Sequence, residues 1–448
     1  ENVIRRLTMT EKGFLQNVMR ISIPVALQSM LQSSFSMVDQ IMVGQLGEKS
    51  VAAVEIAGKP GFIYAFVIGA ISTITGIMIS QYIGNHNRVA EERSICINFL
   101  VMILTGVLFF SVFNLFRNQF TGLFSTDVQV ITKGSRYLGI ISWTFIPLGI
   151  CNILGTALRC RDKSTWPLYI GVFSALLNTV LNYCLIFGNF GAPELGVAGA
   201  AYASVVSQVA GALISILCFF RLYGRIHISI NLGKDGYSQY CMMLLPVVSE
   251  LFWSMGQSVN TYVYGHMGTN ELAGMSLTGA VQGLTIGALS GLSQAAGIII
   301  GKRLGSNEYD KAYDESQKLC GLGLIGSLIL SLLLILVRNQ YVQLFRVSGD
   351  VRTIGAKVLV VFAILMPVKV QNMILGGGVL KSGGRTRYVM MIDMIGTWLI
   401  GVPLALLTGL YFRLPIVWVY FIFSQEELVR FIVSVFIFRG RKWMHTLQ

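Results

Sequence analysis

The sequence predicts an all-α integral membrane protein: twelve transmembrane helices in two six-helix lobes related by an axis along the membrane normal. Composition, the length of the apolar blocks and an internal repeat carry that expectation. Of 448 residues, 54% are hydrophobic and only 12% are charged, against roughly 25% charge in a typical soluble domain. Mean hydropathy is +0.66. The apolar residues gather into blocks of about 18 or more, enough to cross a hydrocarbon core of roughly 30 Å as helices. Helices are the expected form because hydrocarbon leaves no water to satisfy an open backbone.

Polar breaks separate blocks at 16–44, 52–83, 94–116, 132–157, 165–188, 195–220, 239–265, 271–301, 316–337, 352–380, 387–410 and 415–438. The first block follows Arg5, Arg6 and Lys12 and runs on into a full span rather than a cleavable leader. Assigning the loops alternately to two sides gives roughly 21 lysines and arginines on the side with both termini, against roughly nine on the other. The richer side is expected to be cytoplasmic, which requires an even number of spans. The formal charge of +13 reads as this loop bias and not as nucleic-acid affinity.

The two halves repeat. A shift of 221 residues lays Gly44 on Gly265, Gly47 on Gly268, Gly58 on Gly279, Gly76 on Gly297 and Gly84 on Gly305. A shift of 222 lays Pro24 on Pro246, Leu158 on Leu380 and Arg159 on Lys381. Six spans per copy give both copies the same orientation, hence the axis along the membrane normal. The expected division is an N-terminal lobe at 1–222, a cytoplasmic linker at 223–237 and a C-terminal lobe at 238–448. Paired lobes around a cavity suit alternating access and favour a transporter.

Charged side chains inside spans cost roughly 2.5–3.5 kcal/mol each on insertion scales, so each needs a reason. The candidates are Asp39, Glu55, Lys59, Glu250, Lys369, Asp393, Glu426, Glu427 and Arg430. Glu55 and Lys59 are four residues apart, as are Glu426 and Arg430, so each couple could be an ion pair on one helix face. Asp39 has no base within one helical turn, and its repeat counterpart is Asn260. A lone carboxylate facing a wet cavity can take up a proton, coordinate Na⁺ or neutralise a cationic substrate. The alternative is a satisfied structural acid. Glu250 follows Pro246 and Lys369 follows Pro367; the two could form a breakable pair in the second lobe or a permanent bridge. Asp393, beside Gly396 and Trp398, is left without a role. The seven cysteines lack a CxxC pair, no Walker lysine follows Gly376-Gly377-Gly378, and the four histidines form no HExxH motif. Nothing supports an enzyme, a cofactor or a resident metal.

Asp39-Gln40-Ile41-Met42-Val43-Gly44-Gln45-Leu46-Gly47 with Ala52-Ala53, then Gln81 with Gly84, Leu158-Arg159 running to Pro167, Asn178, Asn182 and Leu185-Ile186-Phe187-Gly188, and Gly196-Val197-Ala198-Gly199-Ala200-Ala201-Tyr202-Ala203-Ser204 stand in order along the chain. Together they resemble the multidrug and toxic compound extrusion (MATE) family, bacterial type. The resemblance implies a V-shaped twelve-helix exporter driven by inward H⁺ or Na⁺ flow. It also implies a first-lobe ion site at Asp39, Asn178, Asn182 and Ser204. In the branch that exports drugs against Na⁺, acids stand on the seventh and tenth spans; Glu250 fits the first position, and the tenth offers Lys369.

The expected function is a secondary antiporter exporting organic cations, drugs or amphipathic metabolites in exchange for H⁺ or Na⁺. The acid excess in the spans favours cations, with aromatic residues supplying cation–π surface. The expected setting is a bacterial plasma membrane, as a monomer in contact with lipid and without nucleic acid. A flippase for lipid-linked precursors is the alternative that Lys59, Lys369 and Arg430 keep open. A channel or sensor would need a filter loop or a soluble domain, and neither is visible.

Overall fold

The structure is a computed structural model that describes residues 2–124, 127–224, 226–229, 237, 240–241, 244–344, 348–384 and 386–447. Of the expected linker, residues 225, 230–236 and the seam beyond it at 238–239 lie outside the described residues. Among the described residues there is no strand. Helices α1 Asn2–Gly44, α2 Glu48–Gly84 and α3 Arg88–Leu115 are followed by a short connecting helix, Arg117–Phe124. Then come α4 Val128–Cys160, α5 Thr165–Phe187 and α6 Val197–Tyr223. The second half supplies α7 Leu245–Met267, α8 Thr269–Gly305 and α9 Tyr309–Gln343. It ends with α10 Gly349–Leu380, α11 Thr386–Tyr411 and α12 at 416–439.

Nine of the described helices are long and apolar enough to cross a membrane. The other three carry more polar residues: α1 holds Gln28, Gln32, Ser36 and Asp39, α7 holds Gln257 and Asn260, and α12 divides at Ser424 before Glu426 and Glu427. Polar residues on an apolar helix must face an interior or a wet cavity. These are therefore the elements to search for a site.

Packing groups the chain into two compact units. One comprises Leu27–Ile79 and Arg88–Leu232; the other comprises Glu1–Ala26, Ser80–Asn87 and Gly233–Gln448. The change of unit within α1 falls just after Pro24, which removes a backbone donor from the helix.

In the first of these, Tyr64 is buried among aromatic rings, with Phe145 at 4.9 Å and Phe109 at 5.2 Å between centroids. Helices α5 and α6 lie against each other. A Cβ on Gly199 would overlap the Leu185 carbonyl, so only glycine admits this approach. Gly188, left-handed at φ +70°, ends α5 so that the chain can turn back. At one end of α3, Glu91 is 2% exposed and is gripped by Arg161 through Nε (2.8 Å) and Nη2 (2.6 Å). Tyr223 donates its hydroxyl to the same carboxylate. The Arg88 and Arg161 guanidinium carbons lie 4.5 and 4.6 Å from its ring centre, a cation–π arrangement.

In the other unit, the repeat becomes visible as packing. A Cβ on Gly84 would overlap the Lys302 carbonyl, and a Cβ on Gly305 would overlap the Gln81 carbonyl. Shifting by 221 carries Gly84 onto Gly305 and Gln81 onto Lys302, so the two close approaches are copies of one contact. The Gln81 amide donates to the carbonyls of Ser382 (2.6 Å) and His445 (3.1 Å), while its oxygen accepts from the Leu447 amide (2.7 Å). Helices α10 and α11 leave α-geometry in π turns at Met373–Leu380, Ile395–Gly401 and Leu407–Tyr411.

Candidate ion and substrate site

The first unit holds a cavity of about 250 Å³. One face of α1 lines it: Gln28, Gln32, Phe35, Ser36 and Asp39, spaced at four, seven, eight and eleven residues from the first. That spacing puts all five on a single helical stripe. Asn152 and Arg159 come from α4, Ser174 and Asn178 from α5, and Ser204 and Gln208 from α6.

The four residues expected to form an ion site are brought together. The Asn182 amide donates to Asp39 Oδ1 at 2.7 Å and to Asn178 Oδ1 at 3.1 Å. The Asn178 amide donates to Ser204 Oγ at 3.2 Å. Asn178 and Asn182 are four apart on α5 and so share a face. Asp39, Asn178 and Ser204 line the cavity, while Asn182 is buried behind them. The carboxylate therefore meets the cavity on one side and an amide donor on the other. A hydrogen bond to a charged group is worth roughly 1.5–3 kcal/mol, enough to orient Asp39 without preventing exchange of its partner. A half-turn of the Asn182 amide would present its oxygen instead, giving a cation a carboxylate, an amide oxygen and a hydroxyl within one chain of contacts.

The second unit arranges its charges differently from expectation. Lys369 Nζ lies 3.3 Å from Glu427 Oε1, and the Asn372 amide donates to Glu427 Oε2 at 2.7 Å. Arg430 binds Asp393 and lies 3.7 Å from Glu427 Oε2. The expected Glu426–Arg430 pair is not formed, because Arg430 packs over Gly396 of α11 and reaches Asp393 there. Glu426, 3% exposed, sits against Gly401 with no side-chain hydrogen bond among the described residues. The expected Glu55–Lys59 pair is absent too: both side chains are exposed, and Lys59 Nζ lies 5.5 Å from the centre of the Phe124 ring. Solvent screens an exposed pair on one helix to a fraction of a kcal/mol, too little to hold it.

The Glu250 side chain lies outside the described residues. Lys369 has taken Glu427 as its partner, and Asn260 is buried on α7 with its side-chain oxygen unbonded among the described residues. The sequence pattern singles out none of Gln28, Gln32, Asn152, Ser174 and Gln208 for the cavity wall, and it marks Arg159 only through the repeat and the Leu158-Arg159 motif. The pattern that could have found Gln28 was the polar stripe of α1 read forward to Asp39. Among the described residues no group of three or more His, Cys, Asp or Glu could hold a metal ion.

Comparison with known proteins decides the family. The MatE family model matches residues 24–184 and again 246–407, so the second match starts 222 residues after the first, the shift found in the sequence. This chain belongs to the MATE family. MATE proteins are multi-pass membrane transporters and not enzymes, and this chain has the apolar helices of one. It is 24% identical over 436 residues to the uncharacterized transporter YisQ of Bacillus subtilis, covering 94% of this chain and 93% of that one. It is 21% identical to the probable multidrug resistance protein NorM of Thermotoga maritima, covering 96% and 93%. Among solved structures, a mutant of the Vibrio cholerae MATE transporter VcmN superposes with TM-score 0.87 at 16% identity, covering 97% of this chain and 99% of the other. A MOP superfamily transporter from Pyrococcus furiosus gives 0.84 at 17% identity, covering 95% and 96%. These likenesses establish a twelve-helix MATE fold.

Proposed function

We propose that this MATE transporter is a secondary antiporter, exporting small organic molecules that carry a cationic group in exchange for H⁺ or Na⁺ taken up at Asp39. The supporting observation is the contact chain from Asp39 through Asn182 and Asn178 to Ser204, with Asp39 facing the cavity. A carboxylate on a cavity wall can neutralise either a coupling ion or the cationic group of a substrate, but not both fully at once. Entry of one therefore favours release of the other, which is the linkage an antiporter requires. The names of the multidrug resistance relatives NorM and MdtK fit this reading. On the same reading the protein is a monomer in a bacterial plasma membrane with both termini cytoplasmic.

The test is ethidium efflux from proteoliposomes under paired gradients, one of H⁺ and one of Na⁺. Efflux accelerated by at least one gradient supports antiport and names the ion. Efflux of ethidium and of a short zwitterionic peptide alike indifferent to both gradients removes the coupling.

A further inference from the structure

The cavity of the first unit is lined by one acid and one base, Asp39 and Arg159. Among the described residues Arg159 makes a single side-chain hydrogen bond, from Nη2 to Gln28 Oε1 at 2.8 Å. Its Nε is buried without a partner, and it joins no ion pair among the described residues. A guanidinium carries five N–H donors and prefers a planar anion that accepts two of them. Its place in the last turn of α4 offsets part of the charge through the helix dipole. That leaves most of the donors uncommitted.

We infer that Arg159 is an anion subsite of this cavity, and that the cargo is a small amphoteric molecule whose amine meets Asp39 and whose carboxylate meets Arg159. This rests on the reading that the cavity carries cargo. Three features of the site specify the molecule further.

The first is length. Gln28, which holds Arg159, and Asp39 are eleven residues apart on α1, about 16 Å along the helix axis at 1.5 Å per residue. That spacing separates the two anchor points on one wall of the cavity. A single amino acid cannot bridge such a span; an extended chain of about three to five residues covers roughly 10–16 Å.

The second is size. A cavity of about 250 Å³ lies just under the roughly 300–1,000 Å³ usual for ligand pockets, so the cargo is compact.

The third is chemistry. Between the charged ends stand the amides of Gln32, Asn152 and Gln208 and several serine hydroxyls, while Phe35 is the one aromatic ring in the lining. Lipophilic cations are held by aromatic faces. Amide and hydroxyl groups instead match the backbone of a peptide, donor to acceptor. The geometry therefore favours a short peptide-like zwitterion over a bulky aromatic cation.

The experiment uses the full chain in proteoliposomes and varies the ligand before the protein. The probes are trialanine, trialaninamide without the carboxylate, N-acetyltrialanine without the amine, and ethidium. Trialanine should exchange at least tenfold faster than either capped form. In Arg159→Gln the ratio of trialanine to trialaninamide exchange should fall at least tenfold, and Arg159→Lys should recover part of it. Capped peptides moving as fast as trialanine would overturn the inference without any mutant, even if Arg159→Gln does not fold. So would an unchanged ratio in Arg159→Gln. Gradient-driven ethidium efflux with no discrimination among the peptides would sink the anion subsite and leave the antiport reading standing. Failure of every probe to respond to a gradient would sink both.

Discussion

Alanine at Gly305 would place a methyl group inside the van der Waals envelope of the Gln81 carbonyl oxygen, and alanine at Gly84 would do the same against Lys302. Neither obstacle is a side chain that can rotate away; both are helix backbone, so two helices must separate. Overpacking of this kind costs typically about 1–3 kcal/mol. Alanine also gains up to about 1 kcal/mol of helix propensity over glycine. Gly279 supplies the control, because a Cβ there meets nothing within 4 Å and only the propensity gain remains. Propensity cancels between Gly305→Ala and Gly279→Ala, leaving a gap of about 1–3 kcal/mol, or roughly 5- to 150-fold in the folding equilibrium. Thermal unfolding of the purified protein in detergent, followed by circular dichroism, reads the difference. Gly279→Ala should melt at or above the parent and Gly305→Ala below it. Gly305→Ala melting as high as Gly279→Ala would refute the claim that the repeated glycines are close-contact positions. Gly84→Ala with Gly305→Ala should cost less than the two separately, since both open one interface.

Other outcomes follow from the same geometry. Arg161→Gln strips the buried Glu91 of its two-point partner and should cost about 3 kcal/mol or more in the same melt; adding Glu91→Gln should recover part of it, and no recovery would count against the pair. The Glu308 carboxyl is held below the usual range by its hydrogen bond to Lys311, and then by Arg303. Its contribution is therefore present above the ordinary glutamate value and is lost as pH falls through the lowered one. Partly exposed as it is, it is worth about 1 kcal/mol at most, so Glu308→Gln should narrow the melting gap between neutral and acid pH slightly; a wider gap would reverse the sign. Asn182→Ala removes the group that touches Asp39, whereas Asn178→Ala removes one a step away. Gradient-driven efflux should fall about tenfold in the former and less in the latter; equal losses would contradict the order of the chain.

The spans were legible because block length and polarity are local properties, and the repeat was legible because glycine and proline positions recur at one shift. Asp39 stands out in the sequence as an in-span acid with no base within one helical turn, whereas Asn178, Asn182 and Ser204 join it only through the resemblance. Partner choice in the second unit was not. Arg430 can meet Glu426 at four residues or Glu427 at three, and α11 decides the matter by bringing Asp393 and Gly396 against it. The Arg161 grip on Glu91 joins residues 70 apart in sequence, which no periodicity reveals. The change of unit within α1 and α2 also depends on tertiary packing, since each helix is one continuous element.

The most direct test is Asp39→Asn in proteoliposomes loaded with ethidium, comparing efflux with and without an imposed H⁺ or Na⁺ gradient. The substitution keeps the side-chain volume and removes the charge to which the proposed function assigns the coupling ion. The account predicts that gradient-driven efflux falls to the level seen without a gradient. Gradient-driven efflux at the parent rate in Asp39→Asn would contradict it.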